Sequence, residues 1–163
     1  MNADQRNRRV KRWVAVLLLA VLPTPPLYWI ATSLDDDDPA FIDAARTGDM
    51  KAATRFIERG ADLTAVDRIY GSTPVMWAAH EGHTEVLALL LKYGGDPDTR
   101  NPLGRTALWF AAQQGQKHTA RLLIEHGVAN VNPISDQGMA ASQVALQNGH
   151  HELAGFLRQT RGM

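Results

Sequence analysis

Glycine recurs along this chain at an almost constant interval, and that interval constrains the fold more than any other feature. The first series is spaced by 34, 33 and 34 residues: Gly48, Gly82, Gly115 and Gly149. A second series follows the first by 12 residues: Gly60, Gly94 and Gly127. Periods between about 20 and 50 residues are typical of solenoids, in which each repeat packs only against its neighbours. The chain is therefore expected to stack several short repeats.

The segments between these glycines have helical patterns that match a known motif. Residues 71–96 read GSTPVMWAAHEGHTEVLALLLKYGGD, and residues 104–127 read GRTALWFAAQQGQKHTARLLIEHG. Both resemble the ankyrin repeat, while residues 41–62 resemble its N-terminal cap and residues 138–157 its C-terminal cap. The resemblance implies an all-α solenoid of about four helix-turn-helix repeats with short β-hairpin or turn tips. The repeats fall at about residues 39–69, 70–101, 102–136 and 137–163, within a repeat domain of residues 39–163.

Local chemistry agrees with this pattern. Thr73 is placed to cap the first helix of its repeat, Pro74 suits the first turn, and Thr106 is placed to cap the next repeat. Alanine pairs allow close helix packing between repeats: Ala44-Ala45, Ala78-Ala79 and Ala111-Ala112. Leucines at helical spacing are expected to form the core: Leu87, Leu90, Leu91, Leu122 and Leu123. Met76 and Trp109 replace the histidine of the family motif, which implies that its inter-repeat hydrogen bonds are lost.

An uncharged segment near the N-terminus predicts a membrane anchor. Residues 13–34 contain no charged side chain, and a helix of that length spans about 33 Å, enough to cross a bilayer core. Residues 1–12 carry five basic side chains, and residues 35–38 form an acidic linker of four aspartates. The positive-inside rule then predicts a cytoplasmic tail at residues 1–12 and a repeat domain on the far side of the membrane. The compactness of the chain and its signal-like N-terminus favour a bacterial inner membrane, with the repeats in the periplasm.

The same segment has features of a cleaved signal peptide. Pro23, Pro25 and Pro26 interrupt the apolar run, and its cleanest part has the length of a signal-peptide core. A cut after Ala31 would leave Trp29 where a small residue is required, which favours an uncleaved anchor. Cleavage and a merely peripheral segment remain the alternatives.

Composition argues against several function classes. The chain is 45% hydrophobic, and from Asp35 onward it has 12 basic and 16 acidic residues, so no basic patch for nucleic acid is expected. The absence of cysteine excludes disulfides and thiolate metal sites. No serine has the glycine-flanked setting of a catalytic nucleophile. Four consecutive aspartates lack the spaced ligands of a calcium loop. We therefore expect no enzyme activity and no cofactor.

Six histidines raise the question of a metal site: His80, His83, His118, His126, His150 and His151. His83 and His150 occupy the glycine-histidine position of the repeat motif, which explains them without a metal. The run His80-Glu81-Gly82-His83 differs from the H-E-x-x-H zinc motif, and Gly82 is expected to end the helix that such a motif needs. No metal site is predicted.

The positions that the family leaves variable predict the binding surface. The resemblance implies that partners contact hairpin tips and the exposed side of each first helix. The tip residues are Arg68, Ile69, Tyr70, Ser72, Pro102, Leu103, Arg105, Asp136, Gln137 and Met139, and the helix residues are His80, Glu81, Gln113 and Gln114, with Gln147 and Asn148 in the last repeat. Ile69, Tyr70, Leu103 and Met139 are expected to form an exposed apolar strip. The alternative is that these side chains fold back onto neighbouring tips.

Three aromatic residues on first helices have two interpretations. Trp77, Trp109 and Phe110 lie 32 to 33 residues apart across repeats, where the family usually has smaller side chains at the positions of Trp77 and Phe110. Packing between repeats is the favoured interpretation, and a contribution to the concave binding face is the alternative.

These observations together predict a protein-binding domain that is monomeric when unbound and tethered to the bacterial inner membrane. Its partner is expected to be another protein in the periplasm, held by a preorganised surface. One role is that of a scaffold or stabiliser for that partner. The alternative is an immunity protein that neutralises a secreted antibacterial toxin, and the more distant alternative is a metal-binding or enzymatic protein.

Overall fold

The computed structural model describes residues 37–128 and 130–160. Eight α-helices lie in these ranges: α1 (Asp37–Thr47), α2 (Met50–Glu58), α3 (Pro74–Glu81), α4 (Thr84–Lys92), α5 (Ala107–Gln114), α6 (Lys117–Glu125), α7 (Ala141–Gln147) and α8 (His151–Thr160). Over the same residues no strand is present, and the only bridge is an isolated antiparallel pair between Ile134 and Ala140. The prediction of an all-α repeat fold is confirmed, with turns rather than extended strands at the tips.

Short polar caps and glycines fix the ends of the inner helices α3 and α5. The Thr73 hydroxyl accepts a hydrogen bond from the Met76 N–H at 3.3 Å, and the Thr106 hydroxyl accepts one from the Trp109 N–H at 3.4 Å. Gly82 ends α3 with φ of 81°, a left-handed backbone conformation that residues other than glycine rarely adopt. Each inner helix therefore stops after about two turns, and the chain reverses into the outer helix of the same repeat.

The core is a continuous layer between stacked helix pairs. The alanine pairs of α1, α3 and α5 are all buried, which lets α3 and α5 pack closely in adjacent repeats. Leu87, Leu90 and Leu91 of α4 and Leu123 of α6 are buried as predicted. Leu122 is only partly buried and packs against the edge of the core, because it lies one position beside the buried row on α6.

Hydrogen bonds also join neighbouring repeats. His83 Nε2 lies 3.0 Å from the Arg46 carbonyl oxygen, and the hydroxyls of Thr84 and Thr119 lie 3.2 Å apart. The Trp109 indole N–H donates to the Met139 carbonyl oxygen at 3.0 Å. The implied loss of inter-repeat hydrogen bonding at the motif's histidine position is therefore wrong for Trp109, whose indole makes a bond of this kind.

The start of α1 differs from the predicted domain boundary. The helix begins at Asp37, so the last two residues of the predicted linker at residues 35–38 belong to it. Pro39 is compatible with this start because a proline in the first turn removes an N–H that has no helical acceptor. In the part of the chain that the structure describes, no helix has the length and apolarity that a membrane crossing requires. Residues 1–12 and the predicted anchor at residues 13–34 lie outside that part.

Candidate functional site

A single carboxylate organises the first hairpin tip, which precedes α3. Asp67 Oδ1 accepts hydrogen bonds from the backbone N–H groups of Ile69 at 2.8 Å and Tyr70 at 2.6 Å. Asp67 Oδ2 accepts from the Ser72 N–H at 2.8 Å and from the Trp77 indole N–H at 3.1 Å. Four donors thus converge on one side chain, which fixes the tip and also fixes the indole ring behind it.

The protonation of Asp67 reflects these bonds. Partial burial acts to raise the pKa of the carboxyl, but the hydrogen bonds from the Tyr70, Ser72 and Ile69 backbone and from the Trp77 indole outweigh it. The pKa of Asp67 is therefore lowered from its ordinary value of 3.8. The side chain is ionised at neutral pH, and the tip is built around a negative charge.

The second tip, which precedes α5, is organised by a buried amide at the equivalent place. Asn101 Oδ1 accepts from the Leu103 N–H at 3.1 Å and from the Arg105 N–H at 3.0 Å. Its Nδ2 donates to the Tyr70 carbonyl oxygen of the first tip at 3.2 Å. Pro102 packs so closely on Gly71 that an added Cβ would lie 2.5 Å from the proline ring. The two tips are thereby stacked in contact.

Behind the two tips, aromatic rings form a continuous row across the repeat boundary. The Tyr70 and Trp77 ring centroids are 6.0 Å apart, and the Trp77 and His80 centroids are 5.7 Å apart, both in edge-to-face geometry. His80 contacts Phe110 of the next repeat at 5.8 Å, and Phe110 contacts Trp109 at 5.7 Å. Aromatic pairs at these distances and tilts are attractive beyond their apolar burial. The row therefore makes one rigid wall from two repeats.

His80 is held in this row by both of its ring nitrogens. Nε2 lies 2.8 Å from the Gln114 side-chain nitrogen, and Nδ1 lies 3.0 Å from Glu81 Oε1. Because the Gln114 nitrogen only donates, His80 Nε2 accepts, and the ring hydrogen on Nδ1 is donated to Glu81. The described residues contain no group of three potential metal-ligating side chains. The arrangement positions an aromatic ring and leaves neither nitrogen open to a ligand.

A pocket of about 240 Å³ opens in front of the aromatic row. Ten residues from two adjacent repeats line it: Tyr70, Ser72, Met76, Trp77, His80, Asn101, Leu103, Arg105, Phe110 and Gln113. Ligand pockets for whole small molecules are usually about 300–1,000 Å³, so this one has the size for a single large side chain. Its walls are mainly aromatic and aliphatic, and its polar groups lie among them.

Arg105 supplies the pocket's one permanently charged side chain. Its guanidinium carbon lies 4.3 Å from the centroid of the Trp109 ring, a stacked position that suits a planar cation. One Nη reaches Gln137 Oε1 at 3.4 Å, while the buried Nε has no hydrogen-bond partner among the residues that the structure describes. Across those residues Arg105 forms no ion pair, whereas Arg100 pairs with Asp136 at 3.2 Å.

The structure brings six of the predicted binding residues together in the pocket lining: Tyr70, Ser72, His80, Leu103, Arg105 and Gln113. The remaining eight lie around it or on the third tip: Arg68, Ile69, Glu81, Pro102, Gln114, Asp136, Gln137 and Met139. The side chains of Ile69, Tyr70 and Leu103 are exposed to 81%, 53% and 39%. These three side chains are therefore accessible to a partner.

Three of the predicted tip positions are not fully exposed: Ser72 is buried, and Arg105 and Met139 are partly buried. Ser72 is only 3% exposed, because its backbone N–H donates to the Asp67 carboxylate and holds the residue inside the tip. Met139 packs against the core, and its carbonyl oxygen accepts the Trp109 indole N–H. The expected apolar strip therefore has three exposed members and ends at the second tip.

Two aromatic residues belong to the site although they were absent from the predicted binding set. Trp77 and Phe110 are partly buried and line the pocket, whereas Trp109 is buried and packs between repeats. The signal for the first two was their size at positions where the family usually has smaller side chains. Met76 and Asn101 gave no such signal, because a buried residue contributes to a pocket only through the shape of its neighbours.

Comparison with known proteins supports the repeat assignment. The family model described as "Ankyrin repeats (3 copies)" matches residues 27–101 and 89–162, well over half of the chain. The chain is 32% identical over 100 residues, 61% of its length, to protein glp-1 of Caenorhabditis elegans. It is 32% identical over 112 residues, 67% of its length, to the E3 ubiquitin-protein ligase XBAT33 of Arabidopsis thaliana.

The similarity covers only a small part of each relative. The matched segments span 8% of glp-1 and 21% of XBAT33. A further relative, the ARF GTPase-activating protein GIT1 of Homo sapiens, is 34% identical over 50% of this chain and 11% of its own length. The enzyme activities in these names belong to the relatives and are not transferred by a match of this extent.

Proposed function

The chain belongs to the ankyrin-repeat family, whose repeats form protein–protein interaction modules, and we propose that its partner protein binds across the first two tips and into the aromatic pocket. The observation that carries this proposal is the position of three exposed apolar side chains beside a preformed pocket. Ile69, Tyr70 and Leu103 stand on tips whose backbones are fixed by Asp67 and Asn101. A surface that is already ordered loses little conformational entropy on binding.

The size of the effect follows from the exposed area. Tyr70 and Leu103 lie one residue before the glycine of consecutive tips, and both line the pocket. Burial of a fully exposed side chain contributes about 1.5–3 kcal/mol, and because Tyr70 is 53% and Leu103 39% exposed, each contributes about half of that when a partner covers it. Loss of both is expected to weaken capture by at least about tenfold, which corresponds to about 1.4 kcal/mol.

The test compares capture of cellular proteins by three versions of the full chain. Tyr70→Ala with Leu103→Ala should lose the partner that the unmodified chain enriches, while melting at nearly the same temperature. Tyr93→Ala is the matched control, because Tyr93 is also 50% exposed but lies at the end of α4, outside the pocket lining. Equal capture by the double variant would place recognition on another face of the repeats.

We further propose that residues 13–34 anchor the chain in a bacterial inner membrane, with the repeats in the periplasm. The support is the uncharged run between five early basic residues and four aspartates. The full chain should remain in the membrane fraction after alkaline carbonate washing, and a periplasm-active reporter fused after Met163 should be active. A mature protein that begins near Thr32 would identify the segment as a cleaved signal.

Within this arrangement, the role we propose is that of a scaffold or stabiliser for a periplasmic protein. A tethered binding surface raises the local concentration of its partner near the membrane without any additional contact. Deletion of the gene that encodes this chain should then lower the steady-state level of the captured partner protein in the cell. A partner whose level is unchanged but whose toxicity rises would instead identify an inhibitor of the immunity type.

A further inference from the structure

The pocket between the first two tips combines an apolar interior with a cation, Arg105, that forms no ion pair among the described residues. Trp77, Phe110 and Leu103 provide apolar walls, and none of the ten lining residues is acidic. Arg105 lies at the same pocket with a buried Nε that has no acceptor in the described part of the chain. Arg105 as a whole is partly buried, and its guanidinium contacts a neutral amide and an aromatic ring, so no negative charge balances it among the described residues.

Nearby carboxylates of the chain are already engaged. Asp67 accepts four hydrogen bonds within its own tip, three of them from backbone N–H groups. Glu81 contacts His80, and Asp136 pairs with Arg100. Arg105 makes no ion pair with any of the three, so among the described residues its guanidinium has no carboxylate partner and can accept one from a bound protein.

The orientation of Arg105 suits recognition of a carboxylate. Stacking over the Trp109 ring at 4.3 Å holds the guanidinium plane, and Gln137 contacts one Nη at 3.4 Å. A guanidinium fixed in this way presents its remaining donors in a set geometry, which matches the two oxygens of a carboxylate. Because the ring interaction uses the face of the cation and the Nε is buried, the exposed Nη groups are the donors that an external carboxylate can reach.

We propose that the pocket binds a segment of the partner protein in which one large apolar side chain lies within a few residues of an aspartate or glutamate. The apolar side chain fills the space in front of Trp77 and Phe110, and the carboxylate pairs with Arg105. The volume of about 240 Å³ accommodates one such side chain and not a larger ligand. This inference rests on the proposed function, because it names the chemistry of the segment that the same surface captures.

The test uses a displayed library of random nine-residue peptides as the probe and the full chain as the target. Peptides selected on the unmodified chain should be enriched in a leucine, phenylalanine or tryptophan with an acidic residue close to it. Selection on Arg105→Gln should keep the apolar enrichment and lose the acidic one. Selection on Arg105→Lys, which retains the positive charge, should keep part of the acidic enrichment.

A single peptide then measures the pairing directly. Replacing the acidic residue of the best peptide by its amide should weaken binding to the unmodified chain about tenfold, and binding to Arg105→Gln less than about twofold. Equal enrichment of neutral peptides, an equal loss on both chains, or no enriched peptide at all would overturn the inference. If partner capture from cells still depends on Tyr70 and Leu103 in that event, the proposed function stands and only the acidic segment is wrong.

Discussion

The first and third hairpin tips reach similar turns by opposite means. Asp67 organises the first tip from within, through four hydrogen bonds to its own carboxylate. Ser135 occupies the equivalent place of the third tip, and its buried hydroxyl has no hydrogen-bond partner in the described residues. There Arg100 of the preceding repeat supplies the contacts, donating to the Ile134 carbonyl oxygen at 2.9 Å and to Asp136 at 3.2 Å.

The difference shows that the first tip is the more strongly fixed of the two. The first tip, which Asp67 holds from within, carries Ile69 and Tyr70 and is bonded to Trp77, and all three residues lie at or beside the pocket. The third tip, which Arg100 of the preceding repeat holds, has no exposed aromatic residue, and its Met139 packs against the core. Preorganisation is thus concentrated at the tip that we propose to be the binding surface, as expected where a fixed backbone improves affinity.

The largest expected effect comes from removing the carboxylate of the first tip. Asp67→Ala leaves three backbone donors and the Trp77 indole without their acceptor, and should cost about 1–3 kcal/mol of unfolding free energy. Partner capture should fall as well, because the indole wall of the pocket loses its anchor. Denaturant unfolding of the full chain measures the first effect. A loss no greater than that of Ser135→Ala would show that the two tips do not differ.

Acid should affect the same tip selectively. The pKa of Asp67 is lower in the folded chain than its ordinary value of 3.8, so its contribution to stability is complete above that value. The contribution is lost as the pH falls through the lower pKa of the folded state. Stability should therefore decline more steeply below pH 4 in the unmodified chain than in Asp67→Asn, whose amide does not titrate. Parallel pH profiles would contradict the assigned role of the charge.

The sequence was sufficient for the repeat fold because the signals that define it are local and periodic. Thr73 and Thr106 cap the helices as predicted, and the alanine pairs and leucines specify which helix faces meet. The helix α1 begins at Asp37, two residues before the predicted start of the repeat domain, and Pro39 is compatible with either the boundary or the first turn. The pattern of residues 13–34 still stands as a prediction, since those residues lie outside the described ranges.

The site was only partly predictable, because its geometry arises between repeats. Tyr70 and Leu103 were predicted because they occupy tip positions that the family leaves variable, and both are exposed. The inward turn of Ser72 follows from the carboxylate of Asp67, which a residue pattern does not show to be an acceptor of four bonds. Among the described residues, the absence of an ion pair at Arg105 depends on which carboxylates are already engaged, and that became visible only in three dimensions.

A smaller effect should follow from removing the external brace of the third tip. Arg100→Ala breaks the contacts to Ile134 and Asp136, and because this pair is exposed the loss should be about 0.5–1 kcal/mol. Hydrogen exchange should accelerate at the backbone amides of residues 134–138 and remain unchanged at the first tip. Faster exchange at both tips would mean that the brace acts on the whole array rather than on one turn.

The smallest effect is expected at Ser135, and it is the most direct test of the comparison. The Ser135 hydroxyl is buried and has no hydrogen-bond partner within residues 37–128 and 130–160, whereas Asn101, one repeat earlier, makes three side-chain hydrogen bonds. Removing an unsatisfied polar group costs little or stabilises, so Ser135→Ala should change the unfolding free energy by less than about 0.5 kcal/mol. Asn101→Ala is the matched control and should lower the unfolding free energy by about 1–3 kcal/mol. It leaves two backbone N–H groups without an acceptor and the Tyr70 carbonyl oxygen without its donor. A large loss at Ser135 would mean that its hydroxyl has an acceptor or a water in solution, and the third tip would then be organised from within like the first.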